Sequence, residues 1–192
     1  MGLPLRDADP NRQDLRLIFE ETRISGVWRV LASPMRDERG FFVRTFCSEA
    51  FASQGLVASF EQSSLSHNLK SGTLRGMHFQ AEPDAETKFV RCVRGAVFDV
   101  AVDLRPGSPT EGHWVGETLT DENALGLYIP PGVAHGFQTL TNNSDVLYQI
   151  TPAFRPGFGQ GVRWNDPAFG IDWPIAHPEL NTRDAGYPDW RR

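Results

Sequence analysis

Short runs of apolar residues, separated by turn-forming residues, follow one another along the chain from Gly26 onward. The runs are rich in β-branched and aromatic residues, which favours strands over helices. Many short strands at regular intervals are typical of a closed barrel or a jelly roll. Besides the stretch around Gly95, the strands predicted in this way cover residues 27–31, 41–46, 126–129, 136–140 and 146–150.

Residues 90–105 carry the most informative pattern. Apolar and polar residues partly alternate on each side of Gly95. A glycine turn between two alternating segments predicts a β-hairpin. We expect one face of this hairpin to be buried and the other to be available for chemistry.

The remaining segments are less regular. Residues 48–53 are predicted to form a short helix that Ser48 caps. Residues 1–25 are polar and weakly patterned, and we interpret them as a mobile extension or an added arm. Residues 166–192 are richer in Pro, Trp and Asp and are expected to pack irregularly, or as short helices, over the barrel. No shift in composition divides residues 26–192, which predicts one domain.

Composition and charge narrow the possible functions. The formal net charge is −5, whereas nucleic-acid binding needs a basic face. The two cysteines do not form a disulfide framework. Neither an apolar leader nor a run of 18 apolar residues is present, so we expect no signal peptide and no membrane span. A cytoplasmic protein without nucleic-acid or membrane partners is the default expectation.

A first candidate site lies in residues 74–80, where Arg75 and His78 are three positions apart. Histidine titrates near neutral pH, so it suits proton abstraction, and an arginine can hold an anion beside it. An isolated histidine more often has a structural role in the wall of a barrel.

A second candidate site is formed by residues 130–137, where a Pro-Gly turn precedes His135. This spacing resembles the second motif of cupins, in which the histidine binds a metal ion. The first cupin motif requires two histidines separated by one residue, but this chain has His78-Phe79-Gln80. Two histidines alone make a poor metal site, so we expect neither a metal ion nor another cofactor.

Seven segments together resemble the dTDP-4-dehydrorhamnose 3,5-epimerase family. They occur in the order of that family and extend over about residues 27–185. The matching segments are 37–42, 74–80, 88–92, 97–105, 108–110, 129–137 and 164–167. The resemblance implies an all-β, cupin-type jelly-roll barrel with a few short helices, mainly towards the C-terminus. It also implies an isomerase that acts on a nucleotide-linked 4-keto-6-deoxyhexose.

The chemistry of such an epimerase calls for a base, an acid and a stabilised enolate. The ketone at C4 acidifies the hydrogens at C3 and C5, and a proton leaves one face and returns to the other. The resemblance implies that His78 is the base and that Asp184 pairs with it. It places Lys88 beside the C4 oxygen and identifies Tyr148 as the acid on the opposite face.

The resemblance also implies a substrate-binding set and a dimer. Arg39 and Arg75 are the expected pyrophosphate ligands, and Gln62 is expected to contact the nucleotide. His135 is expected to shape the pocket. The full set is Arg39, Phe42, Gln62, Ser64, Arg75 and His135. Members of the family are homodimers that exchange an N-terminal segment, so Arg39 is expected to serve the neighbouring subunit.

Departures from the family pattern leave alternatives open. The chain has Arg44 in place of an acidic residue, Ser63–Leu65 in place of Asp-Asn-His, and Ala153–Phe154 in place of an aromatic pair. These positions concern the nucleotide and the sugar, so another nucleotide or epimerisation at C3 or C5 only remains open. A metal-dependent cupin oxygenase that uses His78 and His135, and a non-catalytic sugar-nucleotide-binding module, are further alternatives.

Overall fold

The computed structural model describes residues 15–190. Residues 1–14 and 191–192 lie outside the described part, and with them most of the predicted extension. The described elements are β1 (Leu17–Glu21), β2 (Trp28–Ala32), β3 (Met35–Asp37), β4 (Gly40–Phe42), α1 (Ser48–Ser53), β5 (Gln62–Asn68), β6 (Leu74–Gln80), β7 (Thr87–Arg94), β8 (Ala96–Asp103), β9 (Trp114–Thr120), β10 (Gly126–Ile129), β11 (Val133–Thr139), β12 (Ser144–Thr151), β13 (Gly159–Gly161) and α2 (Thr182–Ala185).

Two antiparallel sheets face each other and enclose the main core. The first has the strand order β1-β2-β10-β7-β12-β5, and the second has the order β13-β6-β11-β8-β9. Val90, Leu127 and Val146 of the first sheet pack with Ala101 and Phe137 of the second. The predicted all-β jelly roll is therefore confirmed.

The predicted hairpin around Gly95 is wrong. Strand β7 pairs with β10 and β12, while β8 pairs with β11 and β9, so the chain changes sheets at Gly95. Both strands contribute to the same core, Val90 and Cys92 from one and Val97 from the other. Alternation and a glycine turn are local signals, and they do not determine which strands become neighbours.

Two further expectations near the N-terminus are corrected in part. The strand predicted over residues 41–46 ends at Phe42, because Phe46 turns into an aromatic cluster with its ring centroid 4.8 Å from that of Phe51. The helix over residues 48–53 is confirmed, but Ser48 does not cap it. The N-cap residue is Cys47, whose side chain makes no capping hydrogen bond.

Both ends of the described chain pack on the sheets. Residues 17–21 form β1 and pair antiparallel with β2 at the edge of the first sheet. Phe169, Ile171 and Trp173 of the C-terminal segment pack against Val100 and other residues of the second sheet. The second helix, α2, has only four residues. Within residues 15–190, no helix is long and apolar enough to cross a membrane.

The crossover at Gly95 yields a stability prediction with a matched control. Gly95 and Gly55 have φ values of +75° and +71°, but only Gly95 is crowded. An added Cβ at Gly95 would lie 2.6 Å from Thr141 Oγ1 and 2.8 Å from Ser144 Oγ, whereas nothing lies within 4 Å at Gly55.

We expect Gly55→Ala to lower the free energy of unfolding by about 1–2 kcal/mol through backbone strain alone. Gly95→Ala should add the cost of overpacking, roughly 1–3 kcal/mol more. Urea unfolding of both variants measures the difference. Equal losses in the two variants would show that the packing at the crossover is not tight.

Candidate active site

A cavity of about 330 Å³ opens between the two sheets. Strands β5, β7 and β12 of the first sheet and β6, β11 and β13 of the second all contribute side chains to it. The residues that line it are Gln62, Ser64, Arg75, His78, Phe79, Glu86, Lys88, His135, Tyr148, Ile150, Phe154, Gly159, Gln160, Arg183 and Tyr187.

His78 and Asp184 form a hydrogen-bonded pair at this cavity. Nε2 of His78 lies 2.9 Å from Oδ1 of Asp184, whose side chain is only 1% exposed. The backbone N–H of Gly76 donates to Oδ2 of the same carboxylate at 3.3 Å. Asn181 caps helix α2 by accepting a hydrogen bond from the backbone N–H of Asp184 at 2.7 Å. The cap is therefore Asn181, and the Asp184 carboxylate is available to the histidine.

The electrostatics of the pair favour a neutral imidazole and an ionised carboxylate. Burial lowers the pKa of His78 below its ordinary value, and the positive charges of Lys88 and Arg183 act in the same direction against the opposing effect of Asp184. Burial opposes ionisation of Asp184, but the hydrogen bonds and charge of its neighbours outweigh this and lower its pKa. An ionised carboxylate can only accept, so Nε2 carries the proton and Nδ1 carries the lone pair.

Lys88 lies on β7 and forms a buried ion pair. Its Nζ is 2.8 Å from Oε1 of Glu86, and both side chains are less than one-tenth exposed. Nζ also donates a hydrogen bond to the backbone carbonyl of His78 at 3.0 Å. The ammonium group is therefore held beside His78 rather than being solvated on a strand surface.

Tyr148 lies on β12, in the sheet opposite His78, and lines the same cavity. Burial raises the pKa of its phenol well above the ordinary value, so the hydroxyl group keeps its proton at neutral pH. His135 packs against it with ring centroids 5.9 Å apart. Nε2 of His135 lies 2.8 Å from Oδ1 of Asp99, which is fully buried. This second His–Asp pair supports the wall of the cavity behind Tyr148.

Three of the predicted substrate ligands also line the cavity, namely Arg75, Gln62 and Ser64. Nε of Arg75 donates to Oδ1 of Asn68 at 2.8 Å, which fixes the guanidinium group. Oε1 of Gln62 accepts from the backbone N–H of Phe154 at 3.0 Å.

Arg39 and Phe42 do not line this cavity. They belong to the separate hairpin β3–β4, where Arg39 forms an ion pair with Asp37 at 2.5 Å. Phe42 is 62% exposed, and Phe41 is 46% exposed. The single chain therefore does not bring these two predicted ligands to the other site residues.

Three residues whose side chains contact those of His78, Asp184 or Lys88 were missed in the sequence. Glu86 lies two positions before Lys88 and immediately before β7, and residues two apart in extended chain share a face, so this spacing could have revealed it. In the C-terminal segment, Arg183 directly precedes Asp184, and Tyr187 lies three positions after it. The segment has no hydrophobic periodicity that could have revealed them, because its regular structure is only a cap and a single helical turn.

The two histidines expected of a metal cupin lie on neighbouring strands. His78 and His135 are paired positions of β6 and β11. Each Nε2 atom, however, bonds to a different carboxylate, that of Asp184 or that of Asp99. Within residues 15–190, no group of three or more His, Cys, Asp or Glu side chains is arranged to hold a metal ion. Around the cavity, the structure places a neutral imidazole, an ammonium group and a neutral phenol.

Comparisons with known proteins identify the family of the chain. The family model described as dTDP-4-dehydrorhamnose 3,5-epimerase matches residues 21–192. The dTDP-4-dehydrorhamnose 3,5-epimerase of Salmonella typhimurium is 42% identical over 174 residues, which are 90% of this chain and 94% of that protein. The dTDP-4-dehydrorhamnose 3-epimerase of Streptomyces niveus is 39% identical over 162 residues, which are 84% of this chain and 78% of that protein.

A solved structure extends the similarity to three dimensions. The crystal structure of dTDP-4-dehydrorhamnose 3,5-epimerase from Bacillus anthracis, with TDP and PPi bound, has a TM-score of 0.88 at 35% sequence identity. The match covers 91% of this chain and 100% of that chain. The resemblance inferred from the sequence motifs is thus confirmed, and the chain, an isomerase, belongs to the dTDP-4-dehydrorhamnose 3,5-epimerase family.

Proposed function

We propose that this chain epimerises C3 and C5 of dTDP-4-keto-6-deoxyglucose by proton abstraction and reprotonation through an enolate. The observation that carries the proposal is the His78–Asp184 pair, which faces the same cavity as Lys88 and Tyr148. A base on one sheet and an acid on the opposite sheet is the arrangement that inversion requires, because the proton must leave one face of the sugar and return to the other.

His78 is the proposed base. Its lowered pKa keeps the imidazole neutral at physiological pH, and Nδ1 accepts the proton from C3 or C5. The imidazolium that forms is stabilised by the adjacent carboxylate of Asp184, as in other His–Asp pairs. The electron pair of the broken C–H bond moves to the C4 oxygen.

Lys88 is the proposed partner of that oxygen. A buried cation acts more strongly on a developing negative charge than an exposed one. Glu86 balances the ammonium charge before the reaction, which offsets the cost of burying it. The ion pair therefore keeps a fixed positive group ready beside the base.

Tyr148 is the proposed acid. Its neutral phenol donates a proton to the carbon from the face opposite His78, and the electron pair returns from the enolate oxygen to re-form the ketone. Solvent then restores the phenol proton and removes the proton from His78. The balance over one inversion is one proton lost to the base and one gained from the acid.

The cavity size supports a sugar as the bound group. About 330 Å³ lies at the lower end of the range for small-molecule sites, which suits a hexose ring but not a whole nucleotide sugar. Arg75 is the proposed pyrophosphate ligand, because a guanidinium group matches phosphate oxygens. Gln62 and Ser64, on the edge strand β5, are proposed to contact the part of the substrate that extends out of the cavity.

Epimerisation at a single carbon is the second candidate. The relative from Streptomyces niveus is named a dTDP-4-dehydrorhamnose 3-epimerase, so family membership alone does not fix the number of carbons. Both reactions use the same base and acid, and they differ in how the sugar lies between them.

The first prediction separates the roles of base and acid by isotope exchange. In heavy water, wild-type protein should place deuterium at both C3 and C5 of dTDP-4-keto-6-deoxyglucose, as followed by NMR. His78→Asn should abolish exchange at both carbons. Tyr148→Phe keeps the base but lacks the acidic proton, so exchange should continue while inverted product falls roughly 10²- to 10⁴-fold.

Other outcomes of this experiment are equally informative. Exchange at one carbon only would support epimerisation at a single carbon. Exchange with a CDP-, UDP- or GDP-linked sugar but not with the dTDP sugar would show that the substrate carries a different nucleotide. A folded His78→Asn protein with the wild-type exchange rate would contradict the proposed base.

We propose in addition that the active protein is a homodimer in which the hairpin β3–β4 completes the partner's cavity. Three features support this: Phe41 and Phe42 are exposed, Arg39 lies on the same hairpin, and neither Arg39 nor Phe42 lines the cavity of its own chain. Exposed aromatic side chains next to arginine are typical of an interface.

The second prediction tests this exchange by complementation. Arg39→Ala and His78→Asn proteins should each be nearly inactive alone, but unfolded and refolded together they should recover about one quarter of wild-type activity. The reason is that half of the dimers are mixed and each mixed dimer has one intact site. Light scattering checks the dimer mass. Dimers without recovered activity would mean that Arg39 serves its own chain.

A further inference from the structure

Tyr187 stands directly beside the proposed base. Its ring lines the cavity, and its centroid lies 5.6 Å from that of the His78 imidazole at an interplanar angle of 67°. This is an edge-to-face contact within the favourable distance range for aromatic rings. The side chain of His78 is 27% exposed, and the tyrosine ring packs beside it at the cavity.

The strand next to His78 is built to admit this ring. Gly161 on β13 pairs with His78 on β6. A Cβ at Gly161 would lie 2.5 Å from ring carbons of Tyr187, closer than real contacts allow. Any other residue at this position would push the tyrosine ring away from the imidazole.

Arg183 also packs on the ring. Its guanidinium carbon lies 6.0 Å from the centroid of Tyr187, within cation–π range. Nε of Arg183 lies 3.4 Å from Oδ1 of Asp184, and Nη2 lies 3.5 Å from Nε2 of His78. The tyrosine ring is therefore part of one packed group with the base, its carboxylate and this arginine.

We propose that Tyr187 is a positioning residue for His78, and that its ring holds the imidazole against Asp184 and keeps water away from the pair. This inference rests on the proposed function, because it assigns Tyr187 a role through the base of that reaction. The ring, rather than the hydroxyl group, performs the role. Burial raises the pKa of Tyr187, so the hydroxyl group stays neutral and adds no charge beside the base.

The proposal fixes the direction of a pH effect. The groups that face His78 are Asp184 and Arg183 from the C-terminal segment, Lys88 from β7 and His135 from β11. Burial is the main cause that keeps the imidazole neutral, and Tyr187 supplies part of it. Removal of the ring admits water, which favours the charged imidazolium. The titration of His78 should then move to higher pH.

The third prediction is tested in the free protein by NMR of ¹⁵N-labelled histidine. His78→Asn identifies the signal of His78 among the five histidines. Tyr187→Ala should raise the titration midpoint of His78, whereas Tyr187→Phe should keep the wild-type midpoint. Circular dichroism checks the fold, and Tyr187→Leu replaces the alanine variant if that variant does not fold.

Gly161→Ala provides an independent arm of the same experiment. In the wild-type background it should displace the ring and raise the midpoint of His78. In the Tyr187→Ala background it should add nothing, because no ring remains to be displaced. Equal shifts in the two backgrounds would overturn the proposal.

Kinetics supply the second readout. Tyr187→Ala should lower kcat roughly tenfold through misplacement of the base, with a larger loss at pH 6 than at pH 8. An increase in KM alone, with an unchanged midpoint in a folded protein, would make Tyr187 a simple wall of the binding site and overturn the proposal. The proposal would also be overturned if Tyr187→Phe shifted the titration midpoint of His78 as far as Tyr187→Ala does.

The two proposals fail in different ways. The histidine titration needs no substrate, so an unchanged midpoint refutes the role of Tyr187 whatever the enzyme acts on. Absence of exchange with every nucleotide sugar would refute the proposed reaction and leave the titration result intact.

Discussion

The hydrogen bond between His78 and Asp184 is the interaction on which the rest of the site depends. It joins a strand of the second sheet to a helix of four residues. The carboxylate is only 1% exposed. The Asn181 cap and the Gly76 N–H both help to hold this charged group in its buried position. A carboxylate held in this way fixes both the tautomer and the direction of the imidazole.

Burial shifts the pKa values of His78 and Tyr148 in opposite directions. It favours the neutral forms of His78 and Tyr148, and these are the forms in which one can accept a proton and the other can donate one. Lys88 is buried as well but is paired with Glu86, so a charged group remains where an enolate would form. One cavity therefore holds a base, an acid and a cation without a cofactor in the proposed reaction.

The sequence predicted the parts of this structure that local patterns encode. The fold class follows from short strands and turns. Residues such as His78 and Lys88 lie in segments that resemble the family. The strand pairing around Gly95 was predicted wrongly, because alternation does not specify the neighbour of a strand. Tyr187 was missed because its position depends on Gly161 and on the cap of α2, which are contacts between distant segments.

The hairpin β3–β4 shows a different limit. Its turn and its aromatic residues can be predicted from the sequence. The function of the exposed Phe41 and Phe42, however, depends on what covers them. A single chain explains the cavity walls formed by Arg75 and Gln62, but Arg39 does not line that cavity. In the proposed homodimer, a second copy of the chain gives the exposed rings and this arginine a common role.

The most direct test of the account is the rate of deuterium exchange at C3 and C5 in Asp184→Asn protein. Asn is close in size to Asp but lacks the negative charge, so we predict a loss of roughly 10³- to 10⁴-fold in a protein that remains folded. Asp145→Asn is the matched control, because Asp145 pairs with the half-exposed His67 at 2.5 Å and does not line the cavity. It should exchange at the wild-type rate. Wild-type exchange in Asp184→Asn, or equal losses in the two variants, would contradict the central role of the His78–Asp184 pair.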